Sequence, residues 1–166
     1  QTVDHIQAHA RSAVFLSMGG GKTVSTLTAL DELALVEDDV WPVLVLAPLR
    51  VANSVWAQEA SEWRHLRHLT VSVVTGTAAE RKAALMKKAH VYTCNYESLV
   101  WLVETLGDAW PFKTVVADES TKLRGFRLRQ GTKRARALNS VAHTKVRRFV
   151  NLTGTPSPQG LIDLWG

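Results

Sequence analysis

The chain has 166 residues, 46% of them apolar and 21% charged, which suits one soluble globular domain with a real core. No apolar stretch nears the ~20 residues of a membrane span, the opening residues 1–7 lack a secretion-signal layout, and the single cysteine, Cys94, leaves no partner for a disulfide or a cysteine zinc cluster. The net charge of +5 is uneven: residues 121–150 hold ten Lys or Arg and no Asp or Glu, a candidate polyanion-binding surface whose plain alternative is a solvated basic face.

Residues 13–17 open the readable structure as an apolar run, expected to be a strand. Met18, Gly19, Gly20, Gly21, Lys22 and Thr23 follow, and a helix is expected over 24–36 with Leu27, Leu30 and Ala34 on one face. Strand, glycine loop and helix in this order make an anion site. Glycines let the main chain turn tightly and bring N–H groups together, and the helix start adds unpaired N–H groups and the positive end of its dipole. Lys22 is expected on the β- and γ-phosphates of a nucleoside triphosphate and the Thr23 hydroxyl on Mg²⁺. An ordinary glycine turn that happens to hold a lysine is the competing explanation. Leu16 departs from the small residue usual at that place in such loops.

A second strand is expected over 43–47, bounded by Pro42 and Pro48. The next helix is expected over 54–64, capped by Asn53 or Ser54, with Trp56 and Trp63 as packing residues and His65 and His68 at a solvated end. A strand over 71–75 leads to a helix over 78–88, where Thr77 and Glu80 make a capping box. Then come a strand over 91–94, a helix over 95–106 and a strand over 114–117 that ends in Asp118 and Glu119. A polar, basic loop over 119–131, a helix over 132–141 and a strand over 148–152 complete the order.

Valine- and leucine-rich strands alternating with helices imply an α/β fold. It should be a mainly parallel sheet with helices on both faces, and its ligands should bind at the C-terminal ends of the strands. The glycine loop, the Asp118–Glu119 pair and the turn at Thr153, Gly154 and Thr155 all fall at such ends. Asp118 is expected to hold Mg²⁺ through its water shell, and Glu119 to take a proton from an attacking water.

Five stretches together resemble superfamily-two helicases, most closely the Swi/Snf-like branch of DNA translocases and their phage relatives. Residues 18–23 (Met-Gly-Gly-Gly-Lys-Thr) resemble motif I, with Gly20 in place of the more familiar leucine. Residues 45–51 with Trp56 and Glu59 resemble motif Ia, residues 92–97 the strand and turn that carry Ser-Tyr-Glu in relatives, and residues 152–156 (Leu-Thr-Gly-Thr-Pro) motif III. Asp118-Glu119-Ser120-Thr121 stands where the family has Asp-Glu-x-His or Asp-Glu-Ala-Asp, so Thr121 is a departure.

The resemblance implies a RecA-like P-loop NTPase domain over residues 1–166, the first lobe of a two-lobed protein that uses ATP and Mg²⁺. The second lobe, with its arginines, would follow. It implies nucleic acid, single- or double-stranded DNA, lying across Arg50, the Thr75–Gly76 turn and the region of Asn95 and Tyr96. Thr153, Gly154 and Thr155 would couple nucleotide state to that nucleic acid. Lys122, Arg124, Arg127 and Arg129 would extend the same surface or reach the second lobe. The expected setting is the cytoplasm of a bacterium or phage host, or a nucleus. Two other classes compete with this reading. One is a P-loop kinase or small-molecule NTPase; the other is a non-catalytic basic DNA-binding module.

Overall fold

A computed structural model describes residues 11–15, 21–119, 141 and 144–153, the strand residues 11–15 and 153 by their main chain. Its strands are β1 (Arg11–Phe15), β2 (Val43–Ala47), β3 (Val71–Val74), β4 (Val91–Asn95), β5 (Thr114–Asp118) and β6 (Arg148–Thr153). They form one sheet in the order β1-β6-β5-β2-β4-β3, and every neighbouring pair is parallel. The described α-helices are α1 (Lys22–Leu33), α2 (Trp56–Glu62), α3 (Ala78–Met86) and α4 (Leu99–Leu106).

The central strands β2, β4 and β5 are buried at every position, as a parallel sheet covered on both faces requires. Successive residues feed opposite cores. Val43, Val45, Val116 and Val150 pack with Leu27 and Leu30 of α1 and with Trp56 and Ala60 of α2. Leu44, Leu46, Val115, Ala117 and Phe149 pack with Leu99 and Leu102 of α4 and with Phe112. All six apolar runs form strands, displaced by at most two residues at either end.

The helices differ more from expectation. Main-chain bonding of helical type starts directly after Pro48, with Ala52 N–H donating to the Pro48 carbonyl at 2.9 Å. A π-turn over Val51–Val55 then leads into α2. Neither Asn53 nor Ser54 caps this helix. Ser54 sits inside the helical run and its hydroxyl donates back to the Arg50 carbonyl. Asn95 stays in β4, and a 3₁₀ turn over Tyr96–Ser98 precedes α4. Thr77 does cap α3, accepting from the Glu80 N–H at 3.2 Å.

Trp63 is 45% exposed, and its indole donates to Glu59 instead of entering the core. His65 and His68 do not end in solvent alone: they bond Thr28 and Asp31 of α1. The expected helix over 132–141 lies outside the described residues except for Val141, which is buried.

Candidate functional site

The register of the sheet brings the chemical signals to one edge. Phe15, the last residue of β1, pairs with Thr153, and Leu152 pairs with Asp118. The strands bearing the glycine loop, the Thr153 turn and the paired acids therefore lie side by side and end at one level.

Gly21 begins α1 in the left-handed region, at φ +74, where a side chain is strained. No side chain caps this helix, and its first turn holds no acid. Its leading N–H groups and positive dipole end are suited to an anion. Lys22 is the first helical residue. Its ammonium stands 2.9 Å from Oδ1 of Asp118. Thr23, next along, is buried.

Asp118 is 1% exposed, so its charge needs compensation that water cannot give. Lys22 supplies the opposite charge on one side. On the other, the indole N–H of Trp56 donates to Oδ2 at 3.0 Å. The Tyr96 hydroxyl donates to the Asp118 main-chain carbonyl at 2.6 Å. Burial, and then the negative charges of Asp118 and Glu119, push the Tyr96 phenol well above its usual range, so it remains a donor. Glu119 follows at φ 50, a left-handed conformation uncommon for a residue with a side chain.

The hydroxyl of Thr23, in the first turn of α1, and the carboxylate of Asp118, at the end of β5, are both oxygen donors. Such a set fits Mg²⁺, which keeps several of its waters and needs few protein ligands. Among the described residues no group of three or more His, Cys, Asp or Glu is placed to hold a metal. Met18, Gly19, Gly20, Gly154 and Thr155 lie outside the described residues, and Thr153 is described by its main chain at the end of β6.

The expected nucleic-acid residues divide. Arg50 and Gly76 are exposed and Thr75 is half-buried, its hydroxyl donating to Asn53 at 2.7 Å. Asn95 is 9% exposed with its amide turned to Glu97, and Tyr96 is 1% exposed. The side chains of Asn95 and Tyr96 are therefore not surface contacts. The 3₁₀ turn after β4 folds Tyr96 inward over the end of β5.

The basic segment also splits. Lys145 pairs with Asp108, while Arg147 and the buried Arg148 both pair with Glu37 and Asp39 in the connection between α1 and β2. These three basic groups close the fold. Lys122, Arg124, Arg127 and Arg129 lie outside the described residues.

Sequence reasoning missed the roles of Trp56 and Tyr96. A buried indole N–H or phenol needs a partner, so their burial could have announced an acceptor, but the identity of that acceptor depends on which strands are neighbours.

A family model described as the SNF2-related domain matches residues 11–166. A putative protein p41 of Acyrthosiphon pisum secondary endosymbiont phage 1 is 56% identical over 165 residues, which is 99% of this chain and 36% of that protein. Helicase ssl-1 of Caenorhabditis elegans is 29% identical over 152 residues, 89% of this chain and 6% of its own length. Among solved structures, the Sulfolobus solfataricus SWI2/SNF2 ATPase core in complex with dsDNA matches with a TM-score of 0.75 at 23% identity, covering 98% of this chain and 32% of that one. The chain thus spans only about a third of the phage relative and of the solved core, 36% and 32%.

Proposed function

The chain belongs to the SNF2-related domain family, and from that premise we propose that it is the first, ATP-binding lobe of an ATP-driven DNA translocase or helicase. The observation that carries this reading is the 2.9 Å contact between Lys22 and Asp118. It joins the phosphate-binding and metal-holding halves of a triphosphate site across one strand edge.

In this reading the N–H groups at Gly21 and the first turn of α1 bind phosphate oxygens. Lys22 exchanges the Asp118 carboxylate for the β- and γ-phosphates. Thr23 and, through its water shell, Asp118 would hold Mg²⁺, which would offset the charge of the phosphates. Glu119 orients water and accepts its proton. Charge on the transferring phosphoryl group would be met by an arginine of a second lobe, worth ~10³–10⁵ in rate, so this lobe by itself hydrolyses slowly. Met18, Gly19 and Gly20 would complete the phosphate loop. Thr153, Gly154 and Thr155 would report its occupancy.

Nucleic acid would run past Arg50, Thr75 and Gly76. Contacts there go to phosphates and set position without reading sequence. The matched Sulfolobus ATPase core was solved in complex with dsDNA, which supports DNA as the partner. The test is ATP hydrolysis by the full-length protein with and without duplex DNA, over a salt series. Stimulation that weakens steeply with salt is expected. Hydrolysis indifferent to DNA but dependent on a small-molecule acceptor would overturn the reading in favour of a kinase-type enzyme.

A further inference from the structure

We propose that Trp56 is a positioning residue for the nucleotide site. Its indole N–H holds one oxygen of Asp118, so that the other oxygen is the one offered to Lys22 and to the metal. The inference rests on the proposed nucleotide site and adds to it a residue on a different element.

Trp56 is fully buried, and a phenylalanine ring would fill most of the same core volume. What the indole adds is a donor, and that donor points at Oδ2 of Asp118 at 3.0 Å. A neutral donor bonded to a carboxylate makes a charge-assisted bond, stronger than one between neutral groups. The two carboxylate oxygens thereby become unequal. Oδ2 is bound by a side chain walled into the core. Oδ1 is met by Lys22, whose side chain is 16% exposed and can move when a phosphate arrives. The Tyr96 hydroxyl on the Asp118 carbonyl fixes the main chain beneath them.

The position of Trp56 is itself determined by the turn before it. Val51 and Trp56 share the buried face five residues apart, the spacing a π-turn gives. The carbonyl of Ala52 in that turn accepts the Thr93 hydroxyl at 2.7 Å, tying the turn to β4. Asn53 bonds Thr75 across to the end of β3. Arg50, exposed, stands at the head of the same turn. One side chain therefore connects the exposed turn after β2 to the metal-holding carboxylate.

The first test needs neither nucleotide nor metal. In full-length protein labelled at the indole nitrogens, the Trp56 N–H resonance is assigned by its absence in Trp56→Phe. It is expected downfield in the parent and shifted upfield in Asp118→Asn, where the acceptor loses its charge. A resonance that ignores Asp118→Asn overturns the proposal, and where Trp56→Phe fails to fold the resonance is assigned instead by its through-space contacts to the buried neighbours of Trp56, such as Ala60.

The second test titrates Mg²⁺ against binding of a fluorescent ATP analogue. Trp56→Phe is expected to raise the Mg²⁺ needed for half-saturation about tenfold, the scale seen when an outer partner of a metal ligand is removed. Affinity for the analogue without Mg²⁺ should be unchanged. A variant that melts lower but keeps the parent's Mg²⁺ requirement shows Trp56 to be packing alone. Lys22→Ala separates the two failures. If it binds the analogue as the parent does, the nucleotide site itself is wrong. If it loses binding while Trp56→Phe matches the parent, only the role of Trp56 is wrong.

Discussion

The ammonium of Lys22 and the carboxylate of Asp118, far apart in the sequence on α1 and β5, stand 2.9 Å apart with Asp118 almost wholly enclosed. Removing the lysine should therefore act twice. Lys22→Ala is expected to reduce Mg-ATP hydrolysis by about 10²–10³, the scale for losing one preorganised donor at developing charge. It should also lower unfolding free energy by up to about 3 kcal/mol, because Asp118 is left buried without its counter-charge. Single-turnover hydrolysis and urea unfolding read the two effects separately. A loss of activity with unchanged unfolding would mean that the ion pair contributes nothing to the resting fold.

Glu119 couples chemistry to backbone strain. Glu119→Gln should keep nucleotide binding and slow hydrolysis by about 10²–10⁴, as expected for a lost general base. Glu119→Gly and Glu119→Ala both lack the carboxylate, but at φ 50 the glycine has no Cβ to strain. The glycine variant should be more stable than the alanine variant by about 1 kcal/mol. Thermal melts of the pair decide this, and equal melting temperatures would remove strain from the account.

The clamp between Glu37, Asp39, Arg147 and Arg148 should show a pH signature. The Arg147 guanidinium, hydrogen-bonded to Asp39, and then Arg148, hold the Asp39 carboxyl below its ordinary 3.8, against the opposing effect of burial. A carboxyl with a lowered folded value adds stability that is complete above its unfolded value. That stability drains away as pH falls through the folded one. Asp39→Asn should thus destabilise the chain at pH 7, with the gap to the parent closing below about pH 4. Urea unfolding from pH 7 to pH 2.5 measures the gap, and a constant difference would contradict the linkage.

Cys94 should be inert. It is fully buried on β4, and burial pushes its thiol up to about 12. The reactive form is the thiolate. An aromatic disulfide reagent at pH 8 should leave the folded chain unlabelled and label one thiol after unfolding in urea. Rapid labelling without denaturant would show that β4 opens locally.

Much of this protein is written along the chain itself. Valine and leucine runs such as 43–47 and 114–117 are too short and too uniformly apolar for surface helices, so they had to be strands covered on both faces. The Gly21-Lys22-Thr23 and Asp118-Glu119 signatures are local because main-chain turns and strand ends are local. The capping of α3 by Thr77 is local for the same reason. What tertiary structure alone decided are the relations across the sheet order. Trp56 could be read as a core residue, but its indole found Asp118 because the helix after β2 packs over the end of its neighbour β5. Tyr96 looked like a surface residue of a motif and is an inward anchor, since β4 borders β2 and its following turn closes over the same strand end. Basic residues at 145, 147 and 148 read as free positive charge until the fold brought Asp108, Glu37 and Asp39 against them. Side-chain type and spacing set what each segment can be, while partners distant in sequence are chosen only when strands find their order.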